Sequence, residues 1–257
     1  MKEAYQIVVF IAFLAGFSTL ATAQEEPQFV VSEGQEHIQL NLEGLNEYNA
    51  GHYEKAIEFF KKSVGYDSTY TKAYFNMGLS YFKLRRFNES IQSFERVLEL
   101  DSTVNEAHYY IPFCYYYWGD MEKAKGAYRE AIQVFPKKAE LYYHLTRILE
   151  QEGHEHEELQ VYNALLENLP NEELALYNRS VLLNKAQEFE LAIRDLDKLI
   201  QVNSTNSKAW VERGVMKINL NRIEEGCVDL LRAQELGNTS PAVLELIPKH
   251  CHNPDQE

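Results

Sequence analysis

The chain repeats itself every 34 residues, and this period constrains its fold more than any other feature. Ala56, Ser90, Ala124, Glu158, Ala192 and Gly226 stand 34 apart, and five of the six are small. Four residues further on come Phe60, Phe94, Tyr128, Tyr162, Leu196 and Leu230, all large and apolar. Twelve residues before the small position lie Gly44, Gly78, Pro112, Thr146, Ser180 and Gly214. Leu40, Tyr74, His108, Tyr142, Leu176 and Trp210 precede those by four. The register holds from His37 to Ser240 without an insertion. A period of this length marks a stacked array of supersecondary units.

Each unit carries two amphipathic segments. In the second, Tyr74, Met77 and Tyr81 share one helical stripe, and Ile91, Phe94, Val97 and Leu98 share another. Short turns join the segments, with Gly51, Gly119 and Gly153 at equivalent points. Small residues at one fixed point let two helices approach closely, and the large residue four positions on fills the space between layers. One hairpin cannot bury both of its faces, so the hairpins must stack.

The pattern resembles the tetratricopeptide repeat. That family has an aromatic or Leu at position 4, Gly at 8, Tyr at 11, Ala at 20, Phe at 24, Ala at 27 and Pro at 32. Tyr74, Met77, Gly78, Tyr81 and Phe94 fit it closely, as do Ala124, Ala131 and Pro136. The resemblance implies an all-α, right-handed α-solenoid of six helix-turn-helix repeats at 37–70, 71–104, 105–138, 139–172, 173–206 and 207–240. Glu43, Glu47, Glu158, Arg179, Arg213 and Lys217 depart from the apolar or small pattern. Their four repeats are therefore expected to pack less tightly than the second and third.

The two ends follow other rules. Lys2 precedes an apolar run of 14 residues, Ile7 to Leu20, and Ala21-Thr22-Ala23 follows. Residues 1–23 read as a secretory signal peptide cleaved after Ala23, with an uncleaved anchor as the rival. The run is short for a membrane span, which needs about 20 residues. No membrane span is expected after cleavage, and the localisation expected is periplasmic or secreted. Residues 24–36 form a short acidic lead-in. At the other end Pro241 suits the first turn of a new helix. Residues 241–257 are a capping helix and tail, needed to cover the apolar face of the last repeat.

Cys227 and Cys251 both lie 12 residues from Thr239, at the turn of this final hairpin. Equal distance from an antiparallel turn brings two residues face to face. A disulfide and a pair of buried thiols are both open. Cys114 reads as a small buried apolar residue.

Residues 108–118 read HYYIPFCYYYW, with seven aromatic residues in eleven. They form the first helix of the third repeat, which the resemblance places on the inner, concave side. His108, Ile111 and Tyr115 are expected in the core. Tyr109, Phe113 and Tyr116 lie on another stripe, which by the resemblance lines the groove. Pro112 sits inside the helix and should kink or break it. Phe75, Tyr109, Tyr143 and Tyr177 occupy position 5 of successive repeats, and Phe82 and Tyr116 share position 12. The candidate partner-binding residues are thus Phe75, Phe82, Tyr109, Phe113, Tyr116, Tyr143 and Tyr177. They are expected to build an aromatic ladder along the groove. A binding surface and internal ring packing are both open.

The net charge of -14 argues against nucleic acid, which needs clustered Lys and Arg. No HExxH, GxSxG, Walker loop or dinucleotide fingerprint is present. Two His at i, i+2 in Gly153 to Glu158 do not share a helix face, so no metal site is expected. Asn41, Leu45, Lys72, Phe75 and Leu79 match only fragments of the family's carboxylate-clamp pattern. No cofactor and no catalytic residue are expected. The function expected is a non-catalytic scaffold or adaptor of the cell envelope that binds an extended peptide or partner surface. The alternative is a carbohydrate-binding module using the same rings. Nothing in the sequence fixes the oligomeric state.

Overall fold

The computed structural model describes residues 34–251. The signal-peptide segment and most of the lead-in lie outside these residues. Thirteen α-helices and no strands are found among the described residues. The first helices of successive pairs are α1 (Glu36–Asn49), α3 (Thr71–Lys83), α5 (Glu106–Trp118), α7 (Ala139–Glu152), α9 (Glu173–Lys185) and α11 (Ser207–Asn219). Their second helices are α2 (Tyr53–Tyr66), α4 (Phe87–Leu100), α6 (Met121–Val134), α8 (Glu155–Asn168), α10 (Phe189–Val202) and α12 (Ile223–Glu235). Each helix packs on the next, and α13 (Pro241–His250) closes the array against α12 and α11. The fold is an α-solenoid of helical hairpins.

The pairing of small and large positions holds each hairpin together. A Cβ added to Gly78 would lie 2.7 Å from the Phe94 ring, and one added to Gly44 would lie 2.4 Å from Phe60. Glycine at these two points lets the ring lie flush on the facing helix. All six intra-pair turns place the same repeat position in the left-handed region: Gly51, Arg85, Gly119, Gly153, Gln187 and Asn221. Three of the six are not glycine. The left-handed residue turns the chain back within a few residues, so the second helix packs on the first.

Pro112 does not break its helix. The α5 helix runs continuously from Glu106 to Trp118. The proline occupies the small position and is buried there, so packing offsets the one hydrogen bond it removes. The buried residues of α5 are Ala107, Pro112 and Cys114, while His108, Ile111 and Tyr115 are half-buried. Small side chains take the point of closest helix approach, and larger ones straddle its edge. The Cys114 thiol donates to Ser90 Oγ at 3.3 Å, and burial raises its pKa to about 11.

Looser packing is not observed in the fourth and fifth repeats, whereas α1 of the first repeat buries only Asn41 and Gly44. One large cluster of buried apolar side chains runs from Tyr142 to Met216, through α7 to α11. The charges escape the core by pairing at its edge. Arg179 donates from Nε and Nη2 to Asp195 at 2.7 and 2.6 Å, and from Nη1 to Asn163 at 2.9 Å. One repeat later, Arg213 makes the same fork to Asp229 at 2.8 and 2.7 Å and reaches Asp197 on the preceding second helix. Lys217 adds a contact to Asp229 at 2.9 Å. Bidentate geometry satisfies both charges where an unpaired one would be costly. Glu158 has no such partner; it is buried, and burial with Glu150 nearby raises its pKa to about 7.

At the C-terminal end, Val243 is fully buried, and Leu246 and Ile247 pack on the same cluster. Cys227 and Cys251 form a disulfide with Cα atoms 5.4 Å apart. It ties α12 to the end of α13.

Candidate functional site

The first helices carry three concavities. One lies between α1 and α3 with Asn41, Leu45, Lys72 and Phe75 in its wall. A second lies between α9 and α11 with Tyr177 in its wall. The third lies between α3 and α5, has a volume of about 480 Å³, and is mostly aromatic. Phe82, Phe87, Tyr109, Tyr110, Phe113 and Tyr117 line it, together with Arg85. Its size suits a side chain or a small ligand.

The helical phase of α5 builds this site. Tyr109, Phe113 and Tyr117 follow one another at four-residue steps and so lie along one stripe of the helix. Phe82 ends α3 and Phe87 begins α4, so the turn between them folds two more rings onto the same opening. Phe82 meets Phe87 edge-to-face at 5.9 Å and Tyr117 at 6.0 Å, while Phe87 stacks on Tyr117 at 6.1 Å. Edge-to-face and offset contacts of this kind add to the stabilisation from area burial alone.

Behind this opening a second ring cluster backs the wall. Phe113 packs on Tyr128 at 5.5 Å and on His144 at 4.9 Å, and Tyr116 lies 5.4 Å from His144. Burial, with Arg147 nearby, lowers the His144 pKa, so this imidazole packs as a neutral ring. Phe113 therefore belongs to both the pocket wall and the core beneath it.

All seven residues expected at the site are half-buried. The structure brings Phe82, Tyr109 and Phe113 together in the α3–α5 pocket. Phe75 and Tyr177 line the two other concavities of this face. Tyr116 and Tyr143 line none of the three. A continuous ladder is not formed. Among the described residues no ring pair joins Phe75 to Tyr109, Tyr109 to Tyr143 or Tyr143 to Tyr177. The rings turn instead toward partners in their own or adjoining helices. Phe75 packs on Phe94 at 5.5 Å and on Tyr110 at 5.9 Å. Two hydroxyls are also engaged: Tyr109 donates to Glu140, and Tyr143 donates to Glu172 at 3.0 Å. Burial, reinforced by these carboxylates, raises the pKa of both phenols.

Arg85, Phe87, Tyr110 and Tyr117 are pocket residues that the sequence reading missed. Tyr110 and Tyr117 stand seven apart in the aromatic run, the spacing of one helix face. Arg85 aligns with Gly51, Gly119 and Gly153 in the 34-residue frame, and an arginine at that turn position was the available signal.

Among curated proteins no sequence match is found. Models of the family described as tetratricopeptide repeat match residues 40–70, 71–104 and 115–173. Solved structures share the fold. MamA superposes with a TM-score of 0.56 at 19% identity, covering 68% of this chain and 96% of that one. YrrB, a TPR protein with an unusual peptide-binding site, gives 0.51 at 21% identity, covering 69% and 91%. The pilF protein of Pseudomonas aeruginosa gives 0.50 at 16% identity, covering 84% and 98%. At such identities the likeness is one of fold. With its 34-residue register and stacked hairpins, the chain belongs to the tetratricopeptide-repeat family.

Proposed function

We propose that the protein is a non-catalytic adaptor which holds an extended segment of a partner protein against the first-helix face, with the α3–α5 pocket as its anchor point. The fold is that of a protein–protein interaction scaffold. The observation that carries the finer reading is the pocket itself: six rings around a cavity of about 480 Å³. Exposed contiguous aromatic area marks interaction sites, and rings offer large contact area with few rotors to immobilise. The YrrB structure adds that a peptide-binding member of this fold exists.

Export to the cell envelope is part of the proposal. The apolar run Ile7 to Leu20 followed by Ala21-Thr22-Ala23 supports it. So does the Cys227–Cys251 disulfide, because such bonds persist in oxidising compartments. Among the described residues no helix is long and apolar enough to cross a membrane. N-terminal sequencing of the protein from its native cells should begin at Gln24; a chain beginning at Met1 would contradict export by cleavage.

The binding test is an affinity pull-down read by mass spectrometry. The native chain is compared with a Tyr109→Ala, Phe113→Ala, Tyr116→Ala variant shown by circular dichroism to remain helical. A partner retained by the first and lost by the second is expected. A partner held equally by both would move the binding site off this face.

A further inference from the structure

We propose that the α3–α5 pocket selects acidic partner segments: a large apolar or aromatic side chain fills the pocket, and the carboxylate of a neighbouring partner residue pairs with Arg85. The inference rests on the binding reading above and adds the chemistry of the ligand.

Charge is the first observation. The chain carries a net charge of -14, yet no carboxylate lines this pocket. Four other concavities each have at least one in their walls: Glu173, Glu157, Asp101 with Glu106, and Glu167 with Asp195. The charged side chain in the α3–α5 lining is Arg85, which is exposed and forms no ion pair among the described residues. Lys138 adds a second positive charge, 5.8 Å from the Tyr109 ring. Glu140, which accepts the Tyr109 hydroxyl, offsets Lys138 at that end, so the uncompensated charge of the lining is that of Arg85. An aromatic cage alone would suit a cation. This one has positive charge at its edge, so a cationic ligand is repelled and an anionic one is drawn in.

The backbone at Arg85 is the second observation, independent of charge. Its φ is +59°, at the turn position where the other five hairpins have Gly, Gly, Gly, Gln and Asn. Gln187 and Asn221 hold the same left-handed conformation, so the turn does not single out Arg85 as strained; it fixes where the Arg85 side chain leaves the chain. Glycine would serve the turn better. Arginine at this point holds a guanidinium at the pocket mouth, and the guanidinium fork matches a carboxylate.

A random peptide display library selected on the full chain tests this. Peptides enriched on the native protein are expected to carry a large apolar residue beside Asp or Glu. In fluorescence anisotropy, replacing that acid by its amide should weaken binding to the native protein about 10-fold. On Arg85→Gly and Arg85→Asn the same replacement should change binding less than about 2-fold, and neither variant should lower the melting temperature. A structural role for Arg85 would lower it. Enriched peptides with Lys or Arg beside the anchor overturn the acid preference, as does an amide that binds as well as the acid. If Tyr109→Ala, Phe113→Ala still abolishes binding in those cases, the groove reading stands. No enrichment, or binding untouched by that double variant, overturns both.

Discussion

One helical frame is filled with two chemistries in this molecule. From α3 to α7 the hairpins meet through rings. Phe75, Phe82, Tyr109, Phe113 and Tyr116 each touch other rings, and several stay half-exposed. From α9 to α12 a neighbouring repeat position, occupied by Met77 and Ile111 in the second and third repeats, carries charge. Arg179 and Arg213, 34 residues apart, each bridge their own second helix and the preceding one through side chains 16 residues away on either side. Arg179, Arg213 and Lys217 are spent internally. In the first half Arg85 is left facing outward beside a cavity. The two halves are built of the same helical hairpins, but they present different surfaces. The ring-filled half gathers six rings around one cavity; the ion-paired half also exposes apolar side chains, Leu174, Val228 and Leu231 among them, but these are aliphatic.

The largest effect should come from breaking the charged half. Arg213→Met leaves Asp229, only 1% exposed, without its bidentate partner. Lys217 compensates in part. A loss of about 3 kcal/mol is expected in urea unfolding, and adding Asp229→Leu should recover most of it. If the single variant unfolds like the native protein, the ion pairs at Asp229 add nothing to stability. In the ring-filled half Gly78→Ala drives a methyl to 2.7 Å from Phe94. We expect a loss of about 2 kcal/mol, because the displaced ring must push on Tyr110, which stacks on it at 5.4 Å. An unchanged unfolding midpoint would show that these rings have slack.

The boundary between the halves holds a smaller, pH-dependent effect. Glu158 keeps its proton more tightly in the fold than in the unfolded chain, where its pKa is near 4.5. Protons are therefore lost from the unfolded state first, and native stability falls as pH rises from about 4.5 to about 7. Glu158→Gln should remove that slope and be more stable by about 1 kcal/mol at pH 8, with no gain at pH 4. Thermal melts at both pH values measure it. A native protein whose stability is flat over this range would mean that water reaches the carboxylate.

The frame was readable in the sequence because a strict period needs no knowledge of contacts. Once Gly78 and Phe94 recur in phase with Gly44 and Phe60, the hairpin follows. Partner choice across the frame was not readable. Phe75 and Tyr109 share a repeat position, yet they do not meet: Phe75 turns to Phe94 and Tyr110, and Tyr109 to Phe113 and Phe135. The same holds for Arg179, which looked like a flaw in an apolar position until Asp195 and Asn163 were seen on both sides of it. Pro112 misled through its own rule: the cost of a helix proline is real, but its side chain is buried and α5 stays continuous. Arg85 was legible only as an arginine in phase with Gly51, Gly119 and Gly153; its place at the pocket mouth comes from the left-handed turn that all six hairpins share.

The central claim, that partners dock on the ring-filled first-helix face, is tested most directly by photo-cross-linking in native cells. A benzoylphenylalanine is placed at Tyr117, which is 48% exposed in the pocket wall. It is compared with one at Gln133, in a concavity of the second-helix face. The account predicts a discrete adduct of higher mass from position 117 alone, lost when Phe113→Ala is added. Adducts from position 133 with none from 117 would contradict it.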